Sequence, residues 1–106
     1  MPGNERAMTQ NDLSHIADMP ALRAAIDDLD RKLARLLAER TRLIDRAAEI
    51  KSSIGWPARI DSRVEEVAAN ARANAMEAGY DPDLAEALWR LMMEHFIAQE
   101  DRLLSR

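Results

Sequence analysis

Among its 106 residues the chain has no cysteine, three glycines, four prolines, one phenylalanine and one tyrosine. Without cysteine there is neither a disulfide framework nor thiolate chemistry, which fits a reducing compartment, and a cytoplasmic location is the expectation. Two histidines that are not spaced as a ligand pair give no zinc site, so no metal is expected. No run approaches the roughly 20 apolar residues that cross a bilayer, so no membrane partner is expected. The first seventeen residues lack the basic-then-apolar layout of a secretory signal and read as a flexible polar tail, with the folded domain covering 18–106. β-branched alternation, internal repeats and low-complexity tracts are missing as well, and the fold class is therefore all-α. Positive charge is in deficit, 15 Lys and Arg against 19 Asp and Glu, and a net charge of −4 argues against a nucleic-acid partner.

What the chain does have is a heptad. Leu22, Leu29, Leu36, Leu43 and Ile50 recur at intervals of seven, and a companion stripe runs Ile26, Leu33, Arg40, Ala47. The spacing predicts a helix that opens with Asp18 as N-cap and Pro20 in its first turn, where a missing N–H is harmless. It runs to about Ile54 and stops at Gly55-Trp56-Pro57. Such a helix is on the order of 50 Å long at 1.5 Å per residue, whereas a compact chain of this size has a radius of gyration of about 13 Å. The expected solution is a partner chain packed along it, giving three helices per chain, one long and two shorter, in an intertwined homodimer.

A second helix is predicted from Ser62, in a capping-box pattern with Glu65 and with Asp61 just outside. Its narrow small-residue face is Val64, Val67, Ala68, Ala71 and Ala75, and Gly79 terminates it. The third helix starts at Asp81-Pro82. Its apolar stripe is Ala85, Trp89, Met92, Phe96 and Leu103, widened by Leu84, Leu88 and Leu91, and Glu100 falls inside that stripe.

Arg40 is the residue that does not belong to a plain bundle. A guanidinium on an apolar seam is costly unless an anion meets it. Lys51, eleven residues on, shares its face to within roughly 20° and about 16 Å, so the two long side chains can grip one small dianion. Arg23 lies about 25 Å before Arg40 and cannot serve the same ligand in its own chain, but an antiparallel two-fold partner can bring it there. Each residue also has an ordinary reading. Arg23 is then a solvated helix arginine, Arg40 a structural partner of Glu39 or Asp45, and Lys51 a cation at a helix C-terminus. Glu100 is then a rim carboxylate, His95 a packed or surface histidine, and Trp56, Trp89, Met92 and Met93 core filler.

Taken together, these residues resemble a known family. The run ALRAAIDDLDRKLARLLAERTRLIDRAAEIKSS is similar to the first helix of the all-α chorismate mutases, with Arg23, Arg40 and Lys51 at that family's spacing. GYDPDLAEALWRLMMEHFIAQE resembles its closing helix, so the likeness covers about residues 21–104. The resemblance implies a homodimer without cofactor or metal that binds a dianionic small molecule, chorismate or isochorismate. The reaction it implies is the Claisen rearrangement of chorismate to prephenate in aromatic amino-acid biosynthesis, and within these 106 residues no room is expected for a fused dehydratase, dehydrogenase or regulatory domain. Its catalytic residues are Arg40, Lys51 and Glu100. Arg23 from the partner chain and Arg63 bind substrate, and Val64 and Phe96 line the site.

Two positions depart from the family. Where the mutases usually carry glutamate to meet the substrate's ring hydroxyl, this chain has Val64, unless Glu65 or Asp61 takes over that contact. The local pattern SRV is closer to the isochorismate pyruvate-lyases of the same fold, which form salicylate. A mutase for an amino-substituted chorismate is a further alternative, and a non-catalytic helical dimerisation or regulatory module is the reading from another class. The family's closing-helix glutamine corresponds to Glu100, with Gln99 as a register rival. A glutamate there donates to the substrate's ether oxygen only when protonated; burial beside Phe96 favours that state and Lys51 opposes it.

Overall fold

The computed structural model describes residues 12–104. Residues 1–11 of the expected tail lie outside the described part. Three helices follow one another: α1 (Met19–Ile54, 36 residues), α2 (Asp61–Ala78, 18 residues) and α3 (Pro82–Leu104, 23 residues). No strand occurs among the described residues, so the all-α class holds. The chain divides into two compact units whose boundary, between Thr41 and Arg42, falls inside α1.

In the first unit a turn closes with Ile16 N–H donating to the Leu13 carbonyl at 3.0 Å. Asp18 then caps α1 as its residue type predicts, its Oδ1 accepting the Ala21 N–H at 2.8 Å. The Leu22 N–H reaches the Asp18 carbonyl at 3.1 Å and starts the helical ladder. Exposed local contacts follow on this stretch: the Asp28–Arg31 ion pair and a 2.8 Å hydrogen bond from Thr41 Oγ1 to the Leu37 carbonyl. No residue of α1 is fully buried within one chain.

The second unit begins with the last turns of α1. The helix ends where the sequence places its breaker. Gly55 takes φ 74°, a left-handed value that glycine adopts without a Cβ penalty. The Trp56 N–H donates to the Lys51 carbonyl at 2.9 Å, the six-to-one bond of a Schellman motif. Gly79 repeats the device at the end of α2 with φ 94° and a 2.8 Å bond to the Ala75 carbonyl. At α3 the Asp81 Oδ1 accepts the Asp83 N–H at 2.9 Å, and Pro82 occupies the first position.

The start of α2 differs from the capping-box expectation. The helix begins one residue earlier, at Asp61, with Ile60 as N-cap and no side-chain cap bond. The Ile60 carbonyl accepts the Arg63 and Val64 N–H groups at 3.0 and 3.1 Å. Glu65 does not reach back to Ser62, because both its oxygens are taken by Arg90 on α3, at 2.9 and 3.1 Å. A bidentate, charge-assisted pair outcompetes a local one.

The helices α2 and α3 pack on each other through two apolar clusters. One consists of Ala71, Ala75 and Ala85 with Trp89 against it. The other consists of Ala58, Val64, Ala68, Met93 and Ile97 with Val67 and Leu104. The small-residue face of α2 is as expected, but the buried line of α3 is rotated. It runs Ala85, Met93, Ile97, Glu100, while Leu84, Leu88 and Leu91 stay exposed and Leu103 is 52 % exposed. An α3 rich in leucine on two sides has no unique apolar stripe, and the alanine face of α2 selects the one that fits. Across this contact Arg72 donates to Asp83 and Glu86 at 2.8 and 3.1 Å, and within α3 Arg90 donates to Glu86 at 2.7 Å.

Candidate active site

Among the described residues, the charged one most withdrawn from solvent is Glu100, 6 % exposed at the C-terminal part of α3. Its turn of helix faces the Met93–Ile97 side of the core, so its burial follows from the register of α3 on α2. A carboxylate removed from water needs a cation and hydrogen bonds. Lys51, in the last turn of α1, supplies both, with Nζ 2.9 Å from Glu100 Oε2. The same ammonium donates to the Ala58 carbonyl at 2.8 Å, in the loop between α1 and α2. Lys51 is itself mostly buried, its side chain 19 % exposed. The end of α1, the loop that follows it and the distant α3 thus meet at one cation. Gln99, the register rival, is only half-buried, and it is Glu100 that faces Lys51.

The other expected site residues are placed as follows. Val64 is buried in the core cluster that includes Ala58. Phe96 is half-buried and makes an edge-to-face contact with His95, ring centroids 5.1 Å apart. Arg63 is exposed and pairs with Glu66 at 2.6 Å on its own helix. On α1, Arg40 is half-buried and engaged, and Arg23 is exposed. The second unit therefore brings Lys51, Glu100 and Val64 to one neighbourhood, with Ala58 as the residue that sequence reasoning missed. Its contribution is a backbone carbonyl, which no side-chain pattern announces.

Surface electrostatics near the site are those of paired groups. Arg59 sits against Glu94, whose carboxyl lies below the ordinary carboxylate range through the hydrogen bond from Arg59. Hydrogen bonds from Arg90 lower Glu65 and, with a second contribution from Arg72, Glu86. Among the described residues, no group of three or more His, Cys, Asp or Glu could hold a metal ion, and no helix is long and apolar enough to cross a membrane.

Among the described residues, three helices without strands, and a lysine–glutamate pair shielded from water at the end of the long one, define a class of all-α proteins with a buried cationic site. The particular family follows from comparison: residues 22–101 match chorismate mutase type II, and the chain belongs to that family. It is 36 % identical over 88 residues to the T-protein of Enterobacter agglomerans, covering 82 % of this chain and 24 % of that protein. The T-protein of Haemophilus influenzae is 31 % identical over 90 residues, 85 % of this chain and 24 % of its own length. The chorismate mutase of Methanocaldococcus jannaschii is 29 % identical over 80 residues, 76 % of this chain and 81 % of that one. This chain thus spans about a quarter of the two T-proteins. No solved structure matches it.

Proposed function

We propose that the chain is a chorismate mutase, converting chorismate to prephenate in aromatic amino-acid biosynthesis, in the cytoplasm and without a cofactor. The observation that carries this reading is the buried Lys51–Glu100 pair in a chain of the chorismate mutase type II family. The rearrangement breaks one C–O bond and forms one C–C bond within a single molecule, so it requires no nucleophile and no covalent intermediate. Catalysis then consists of holding the compact conformer and stabilising charge as the ether bond opens. Lys51 and Glu100 act at the ether oxygen, with Lys51 also near a carboxylate. Arg40 and the other chain's Arg23 take the two carboxylates, Arg63 lies near the substrate, and Val64 and Phe96 line the site.

Such a site needs two chains, and we infer a homodimer of the 18–106 domain. The support is the heptad itself, since Leu29, Leu36 and Leu43 are 57, 60 and 72 % exposed in a single chain. Burying one such side chain is worth roughly 1.5–3 kcal/mol. In an equal mixture of Arg23→Ala and Arg40→Ala chains, each nearly inactive alone, about half of the dimers are mixed and each of these rebuilds one intact site, so the mixture should regain about half a site's worth of activity per dimer. No recovery after verified subunit exchange would reject the shared site.

Glu100→Gln offers the ether oxygen an N–H donor in the same place, so it should keep turnover that Glu100→Ala loses. Equal loss in the two variants removes the role.

One observation favours a second reading, the isochorismate pyruvate-lyase. Val64 is packed in the core beside Ala58 and offers no acceptor to a ring hydroxyl, and Glu65 spends both oxygens on Arg90. The deciding assay offers purified protein chorismate and, separately, isochorismate. Prephenate identifies the mutase and salicylate plus pyruvate the lyase; inactivity on both leaves a helical dimerisation module.

A further inference from the structure

Lys51 is held at both ends by the loop that follows its own helix. Its carbonyl accepts the Trp56 N–H at 2.9 Å, and its ammonium donates to the Ala58 carbonyl at 2.8 Å and to Glu100 Oε2 at 2.9 Å. Gly55, at φ 74°, makes the left-handed turn that folds the loop back. Ala58 is only 2 % exposed and is packed with Val64, Ala68, Met93 and Ile97, so its carbonyl cannot shift without displacing that cluster.

We propose that the Ala58 carbonyl is a positioning group for Lys51. With Glu100 it takes two of the three ammonium donors and aims the remaining N–H at the ligand. This rests on the reading of Lys51 as a catalytic cation given above. A lysine carries its charge on a flexible four-carbon stem, and one anchor still lets the ammonium swivel about the anchoring line. Two anchors in fixed places stop the swivel, and tetrahedral geometry then fixes the direction of the third N–H. Only one ligand atom is served while both anchors hold. If Lys51 is to meet a carboxylate and the ether oxygen together, one anchor must open. Position 58 thereby acts on the chemistry through a group that carries no charge.

The test compares substitutions at two alanines of the same apolar cluster, Ala58 and Ala68. Ala58→Leu forces the loop outward and should lower kcat by about tenfold to a hundredfold with KM within about threefold. It should also speed solvent exchange of the Lys51 Nζ protons, followed by nitrogen-15 NMR in the free protein. Ala68→Leu crowds the same cluster, so it lowers the melting temperature but leaves the Lys51 signal in place. Should Ala58→Leu fail to fold, a semisynthetic chain with an ester in place of the Ala58–Arg59 peptide weakens the acceptor without adding an atom to the core.

Unchanged Lys51 proton exchange in that ester chain overturns the proposal, as does equal acceleration by Ala68→Leu. The exchange readout needs no substrate. A protein inactive on chorismate and isochorismate therefore loses the functional reading, while the positioning role of Ala58 is still decided.

Discussion

The heptad helix α1 and the α2–α3 pair solve opposite problems with similar amino acids. The pair is closed by methyl groups: Ala71, Ala75 and Ala85 are almost wholly buried, and no long aliphatic side chain is needed between the axes there. Helix α1 carries the large residues, Leu29, Leu36, Leu43 and Ile50 among them, and leaves them accessible. Isolated helices are marginal in water and draw most of their stability from packing an apolar face. The pair meets that requirement inside one chain, whereas α1 displays a surface of the kind that a second chain completes. The same helix ends in the lysine of the candidate site, so the proposed assembly and the proposed chemistry fall on one element.

Breaking the contrast at the site should have the largest effect. Lys51→Ala leaves Glu100 without its cation in a shielded position and removes the proposed transition-state donor. We expect kcat/KM to fall by about a hundredfold to a thousandfold, measured as loss of chorismate absorbance. Next comes the seam. Leu36→Asp places a charge in the heptad and should shift sedimentation from the proposed dimer to monomer at micromolar concentration; a variant that sediments as a dimer like its parent removes α1 from the interface.

A smaller effect is expected within the pair. Ala75→Leu overfills the alanine contact, and thermal unfolding should show a loss of about 1–3 kcal/mol. Gly55→Ala meets no atom within 4 Å, so its cost is the left-handed φ alone, about 1 kcal/mol, read in the same way.

The smallest effect is electrostatic. The carboxyls of Glu65 and Glu86 lie below their ordinary value, chiefly through hydrogen bonds from Arg90. Their folded forms bind protons less readily than the unfolded chain does. Their contribution is therefore complete above the ordinary glutamate range, and it is lost as pH falls through the lowered folded values. The melting temperature should decline on acidification below about pH 4.5, and Arg90→Ala should reduce that decline. These pairs are exposed enough that the change will be modest.

Much of this architecture is legible in the order of the residues alone. Asp18, Gly79 and Asp81-Pro82 act as residue-level punctuation, because caps are local and depend on a few neighbouring atoms. The alanine face of α2 is legible for a similar reason, since its period is unambiguous. Ser62 and Glu65 mislead because a partner 25 positions further along, Arg90, claims the glutamate. The buried line of α3 escapes because two leucine-bearing sides compete, and only contact with α2 breaks the tie. At the site, Glu100 is visible as an acid within an apolar stripe. The Ala58 carbonyl is not, because its role depends on how a loop folds back and not on which side chain it carries.

The alanine contact between α2 and α3 has one more implication. Where two helices touch through methyl groups, their separation is set by backbone bulk, since alanine has no rotamer to change. It behaves as a rigid spacer that holds the start of α3 at a constant distance from α2. Any give needed to admit and release a ligand must then come from the other end, where Met93 and Ile97 can repack.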